Sequence, residues 1–204
     1  IFDFSRITIE DIAKQLAMIA SKENVEAEDD ALHVIAQKAD GAMRDALSMF
    51  DQQVSFAGNK LTYKSVIENL NVLDYDYYFK VTNEILSGNI SAALLTFNEI
   101  LNHGFDGHNF ITGLSSHFRD LLVCQDEITL KLLEVSANVK EKYKVQSKQA
   151  SALHFLELLD ISNKCDMSYR TAKHQRLQVE LALMKMCSLS SSEKKKKSEP
   201  GIAY

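Results

Sequence analysis

Gly41-Ala42-Met43-Arg44-Asp45-Ala46-Leu47-Ser48-Met49-Phe50-Asp51 decides how the rest of the chain is read. The glycine interrupts one apolar repeat. A second begins at Met43 and recurs at Leu47, Phe50 and Val54, the spacing of an amphipathic helix. Arg44 falls in the first turn of that helix. A helix start presents backbone N–H groups without intrahelical partners and a partial positive charge. The rigid guanidinium fork adds donors suited to phosphate, and Gly41 leaves room for close approach. Together these features make a candidate anion site. The same residues also fit a surface arginine paired with Asp40 or Asp45, and the local sequence leaves both readings open.

Working back from Gly41, a helix is expected over about 29–40, with Leu32, Ile35, Ala36 and Ala39 as its apolar stripe. Glu28, Asp29 and Asp30 crowd its first turn, where the helix dipole favours acids. Before it, Thr8 caps a helix whose Ile9, Ile12, Leu16 and Ile19 recur at helical spacing and which ends near Glu23-Asn24. Residues 1–7 alternate large apolar and polar side chains and read as an extended lead-in. Three helices that end before Gly58-Asn59 form a small bundle. So short a bundle buries a modest fraction of its surface and is expected to lean on a neighbour.

Working forward, Thr62 caps a short helix carrying Val66 and Leu70. The cluster Tyr75-Asp76-Tyr77-Tyr78-Phe79 opens another that stops at Gly88-Asn89, and its acidic interleaving favours burial between helices over base stacking. Further helices are expected over about 90–102, 108–125, 151–167 and 171–187, with two short polar ones inside 128–149. From Ser188 to Tyr204 the chain turns to serines, four lysines at 194–197 and Pro200-Gly201, and it reads as disordered linker with a solvated charge run.

The composition agrees with an all-α fold: one Pro, 7 Gly and 46% hydrophobic residues. The formal net charge is −5, and of the 23 basic residues only Arg6, Arg44, Arg119, Arg170 and Arg176 are arginines. That balance argues against a duplex-gripping surface. Cys124, Cys165 and Cys187 lie far apart, so neither a disulfide framework nor a zinc ribbon is indicated, and a reducing, cytoplasmic setting is expected. No apolar run approaches the roughly 20 residues that span a bilayer. The chain opens on Ile1, and a cut inside a longer protein is expected.

Phe2-Asp3-Phe4-Ser5-Arg6-Ile7, a capped helix, a second helix and then Gly41-Ala42-Met43-Arg44-Asp45-Ala46-Leu47-Ser48 resemble the lid of clamp-loader AAA+ ATPases, and within them the bacterial DNA polymerase III gamma/tau subunits, where Asp51 also matches. The closing stretch Tyr169-Arg170, Gln175-Arg176-Leu177 and Glu180-Leu181-Ala182-Leu183 is similar to the family's last collar helix. The resemblance implies a three-helix AAA+ lid over 1–60, an oligomerisation collar over 61–187 and a linker over 188–204. It further implies that Arg44 contacts the terminal phosphate of ATP, with Mg, bound mainly by a core that is not in this sequence. Met43 would lie near the base or ribose, and Phe4 and Arg6 at the hinge, where plain packing and a surface ion pair stay open as the alternative to a nucleotide role. Implied partners are other gamma/tau copies and the delta and delta-prime subunits, with the sliding clamp and primed DNA reached through the full complex and no membrane.

No G-x-x-x-x-G-K-[ST] loop occurs, so catalysis by this piece alone is not expected and no catalytic residue is assigned. No histidine pair has metal-ligand spacing, so no metal site is assigned. Ser115, Ser116, His117 and Asp120 superficially resemble a hydrolase grouping, but no strand–turn–helix elbow surrounds them, and they read as polar residues on a helix surface. Two other readings stay open: a stand-alone helical protein–protein adaptor, and a helical nucleic-acid binder using Lys140, Lys142, Lys144 and Lys148.

Overall fold

Thr8 sets the first boundary: its hydroxyl accepts from the Asp11 amide, and α1 (Ile9–Lys22) begins there. The computed structural model describes residues 6–198, with side chains through Ser192. Among these residues the chain forms ten α-helices, one 3₁₀ turn and one ladder of two-residue strands, which matches the all-α expectation. The described residues divide into two compact units, 6–72 with 134–141, and 73–133 with 142–198.

In the first unit, α2 (Asp29–Lys38) and α3 (Met43–Ala57) pack with α1. Ile12, Leu16, Leu32, Ile35 and Phe50 are fully buried at the expected spacing. Gln53 is buried among them and its Oε1 accepts from Asn69. Two features add to the expected bundle. Strand β1 (Glu26–Ala27) pairs in parallel with β2 (Lys60–Leu61). Helix α4 (Tyr63–Asn69) follows, closed by a reciprocal capping box between Thr62 and Ser65. Helix α4 packs on α2, and Glu28 accepts from the Tyr63 amide at 2.7 Å. The packing boundary therefore falls at Val72 rather than at residue 60. Segment 134–141 also joins this unit, where the Glu134 carbonyl meets His33 at 3.2 Å and Asn138 donates to Asp30.

The second unit contains α5 (Tyr75–Ser87), α6 (Ile90–Asn102), α7 (Gly107–Val123), a 3₁₀ turn (Thr129–Leu132), the later part of α8 (Ala137–Ser147), α9 (Ala152–Tyr169) and α10 (Gln175–Ser198). Asp74, Asn89, Asp106 and Ser151 cap their helices by accepting from first-turn amides. Tyr78 and Phe79 are buried, as expected of the aromatic cluster. Helices α7 and α9 form the main packed pair, and α10 lies on α9, α5 and α6.

The expected linker from Ser188 is corrected: α10 starts at Gln175 and runs to Ser198. Its apolar face continues past Cys187, and Ser190 is buried against His154, 2.8 Å away. Ser188, Ser190 and Ser192 each bond back to the carbonyl four residues earlier, which satisfies their hydroxyls within the helix. Gly88 makes room for this turn, since a Cβ there would come 2.1 Å from the Ser191 hydroxyl. Residues 199–204 of the expected linker lie outside the described residues, as do Phe2, Phe4 and the rest of the lead-in before Arg6.

Candidate functional site

The turn between α2 and α3 is built from two consecutive left-handed residues. Asp40 has φ +46° and Gly41 φ +84°; aspartate tolerates the first conformation and glycine suits the second. The turn brings Ala42 to the N-cap of α3 with an extended backbone and no side chain to cap it. Asp45 and Ala46 donate to the Ala42 carbonyl. The amides of Met43 and Arg44 have no protein acceptor among the described residues.

Arg44 is exposed, and among the described residues its guanidinium has no ion pair or hydrogen bond. Among the described residues the surface pair with Asp40 or Asp45 does not form; Asp40 is held by Arg6, with both carboxylate oxygens 2.7 Å from one guanidinium nitrogen. Met43 is half-buried and packs on the core of the first unit, so only part of it faces outward. Arg44 and the two amides supply donors only. They suit an anion such as a phosphate, whereas a magnesium ion would need oxygen ligands, and the Asp40 carboxylate of the turn is engaged by Arg6. No cluster of three or more His, Cys, Asp or Glu suited to a metal occurs among the described residues.

His117 is placed differently from its expected surface position. It is 1% exposed, at the centre of a network joining α5, α7 and α8. Its Nδ1 lies 2.9 Å from the Tyr143 hydroxyl and its Nε2 2.8 Å from Gln146 Oε1. Gln146 Nε2 donates to the Phe79 carbonyl and to Asn83 Oδ1. That fixes Gln146 Oε1 as acceptor, so His117 carries its proton on Nε2 and accepts from Tyr143. Burial lowers the His117 pKa to about 4, opposed by the Gln146 hydrogen bond. Burial likewise pushes the Cys165 and Cys187 thiols up to about 11, which disfavours thiolate chemistry. Ser115 and Ser116 bond to carbonyls of their own helix rather than to His117.

The second unit also presents apolar side chains outward. Leu153, Leu156 and Met167 on α9 are 64%, 53% and 76% exposed, and Leu177 and Leu181 on α10 are 55% and 41% exposed. Positions three and four apart share a helix face, so Leu153 and Leu156 sit together on α9 and Leu177 and Leu181 on α10, with Met167 eleven positions beyond Leu156. Between α9 and α10 lies an open groove of about 390 Å³, whose lining includes Cys165, Gln178 and Leu181. Of the four lysines that a nucleic-acid binder would use, Lys142 is tied to Asp76. No helix among the described residues is long and apolar enough to cross a membrane.

Comparison with known proteins covers both units. Residues 11–59 match the family described as DNA polymerase III clamp loader subunit, ATPase lid domain. Residues 61–199 match DNA polymerase III subunits gamma and tau domain III. DNA polymerase III subunit tau of Bacillus subtilis is 33% identical over 93% of this chain and 34% of its own length. Subunit gamma of Buchnera aphidicola is 22% identical over 93% of this chain and 52% of its own length. The chain thus spans a third to a half of these relatives. A Bacillus subtilis DNA clamp loader delta protein shares the fold, with a TM-score of 0.54, 15% identity, and 90% of this chain and 57% of that one covered. The two matched segments meet near residue 60, whereas the packed unit continues to Val72.

Proposed function

The chain belongs to the family of DNA polymerase III subunits gamma and tau, and from that premise we propose that it is the lid and collar part of a clamp-loader subunit that reads ATP rather than hydrolysing it alone. The lid senses ATP that is held, with Mg, by a nucleotide-binding core supplied by the rest of the protein. The collar assembles with other gamma/tau copies and with delta and delta-prime subunits in the cytoplasm. The assembled ring opens the sliding clamp and places it on primed DNA.

The observation that carries the reading is the α3 start: Arg44 exposed and without an ionic partner among the described residues, beside two unpartnered amides. An exposed arginine in the same first turn as helix N–H groups without protein acceptors is a donor set suited to a phosphate. It acts as a charge reader. When the terminal phosphate leaves, a charged hydrogen bond is lost and the favoured lid angle changes. Met43 contributes its outward part near the base or ribose. The exposed apolar side chains on α9 and α10 supply surface for collar neighbours.

The test is Arg44→Ala in the full-length subunit. A charge-assisted hydrogen bond is worth roughly 1.5–3 kcal/mol, so preference for ATP over ADP should fall by about ten- to a hundredfold. Clamp loading should slow while subunit assembly stays intact. An unchanged ATP preference would remove the sensor role.

A further inference from the structure

The Arg6–Asp40 pair stands beside the proposed sensor without belonging to it. Asp40 is four positions before Arg44, in the turn that delivers α3. Its positive φ favours a short polar residue, and an aspartate brings a negative charge to a turn whose other features favour an anion. That charge would act against a phosphate in two ways, by pairing with Arg44 and by repelling the ligand directly. In the structure Asp40 does not pair with Arg44; the Arg6 guanidinium engages both of its oxygens at 2.7 Å instead. The placement of Arg6 is supported from a second side. The Ile7 amide points at the Gly41 carbonyl, 3.4 Å away, and a Cβ on Gly41 would come 2.9 Å from the Arg6 Cβ. The arginine stem therefore lies over the one residue of the turn that has no side chain.

We propose that Arg6 is a positioning residue for the Arg44 site: it neutralises Asp40, so that Arg44 stays free and the turn presents positive charge to a phosphate. This rests on the sensor reading above. The two carboxylate bonds are exposed, with side chains 76% and 78% accessible. Exposed ion pairs of this kind contribute at most about 1 kcal/mol, so the effect on phosphate preference has a ceiling of about fivefold.

The experiment measures the ratio of ATP to ADP affinity for the full-length subunit in four variants: Arg6→Ala, Asp40→Asn, the two together, and Arg44→Ala. Arg6→Ala should lower the ratio about three- to fivefold. Asp40→Asn keeps a residue suited to positive φ and should leave the ratio at or above that of the unaltered protein. The double variant should return to the unaltered ratio, because removing the carboxylate removes the need for Arg6. A clasp that merely held the lead-in in place would instead make both single variants and the double equally defective, and that result overturns the proposal. So does an Arg6→Ala ratio that does not change while Arg44→Ala collapses it. If Arg44→Ala itself leaves the ratio intact, the sensor reading fails and this inference falls with it. Raising the salt concentration should shrink the Arg6→Ala defect, since screening weakens an exposed carboxylate.

Discussion

The α2–α3 turn of the first unit and the His117 network of the second use polar groups in opposite ways. At the turn, Arg44 has no ionic partner among the described residues, and Arg6 and Asp40 pair in solvent. In the network, His117, Tyr143 and Gln146 are almost fully buried, and donors are matched to acceptors. An exposed charge adds little to stability and remains available to a ligand. A buried polar group is costly unless every bond is made, and once made it specifies one arrangement of the helices around it. Function should therefore be most sensitive at the turn, and stability most sensitive in the network.

The largest effect on stability should come from Gln146→Ala. It strips partners from His117 Nε2, the Phe79 carbonyl and Asn83 at once. Unmet buried groups cost roughly 1–3 kcal/mol each, so denaturant unfolding should show a loss of about 3 kcal/mol or more. A loss below about 1 kcal/mol would mean that the network does not hold α5, α7 and α8 together.

Acid should act through the same histidine. The His117 pKa lies at about 4, below its ordinary value of 6.5, so the unfolded chain binds a proton that the folded chain refuses. Its contribution is fully present above about pH 6.5 and is lost as the pH falls towards 4, by about 3 kcal/mol at most. Melting temperature measured across that window should fall, and His117→Gln should flatten the slope. An equal slope in the variant would assign the acid sensitivity to other groups.

Ending the chain after Cys187 should cost about 2 kcal/mol, because it removes half-buried Leu189 and the Ser190 partner of His154. The same truncation would be silent if the segment were linker. The smallest effect is expected in the first unit: Thr62→Ala, which breaks the capping box of α4, should lower stability by about 1 kcal/mol in a thermal melt.

What was readable in the sequence followed from local rules. Asn89 caps α6 and Gly88 closes α5 within one turn of chain, so those boundaries were legible. Arg44 was legible as a candidate because a helix start is itself a local feature. Arg6–Asp40 was not, because the partners are 34 positions apart. His117 looked like a surface residue because its partners stand 26 and 29 positions later, on a helix whose sequence is mostly polar. Ser190 looked like linker because nothing nearby shows that a hydroxyl can be absorbed by the carbonyl four residues back and by a distant histidine. Packing on α2 is also what moves α4 into the first unit, which helical periodicity alone does not show.

The contrast between the two regions is tested most directly by pairing two readouts on one variant. Arg44→Ala should reduce the ATP-over-ADP preference of the full-length subunit by about ten- to a hundredfold, while its unfolding free energy stays within about 0.5 kcal/mol of the unaltered protein. A variant that keeps its ATP preference, or that loses it only by unfolding, would contradict the account of Arg44 as a free charge held ready for a phosphate.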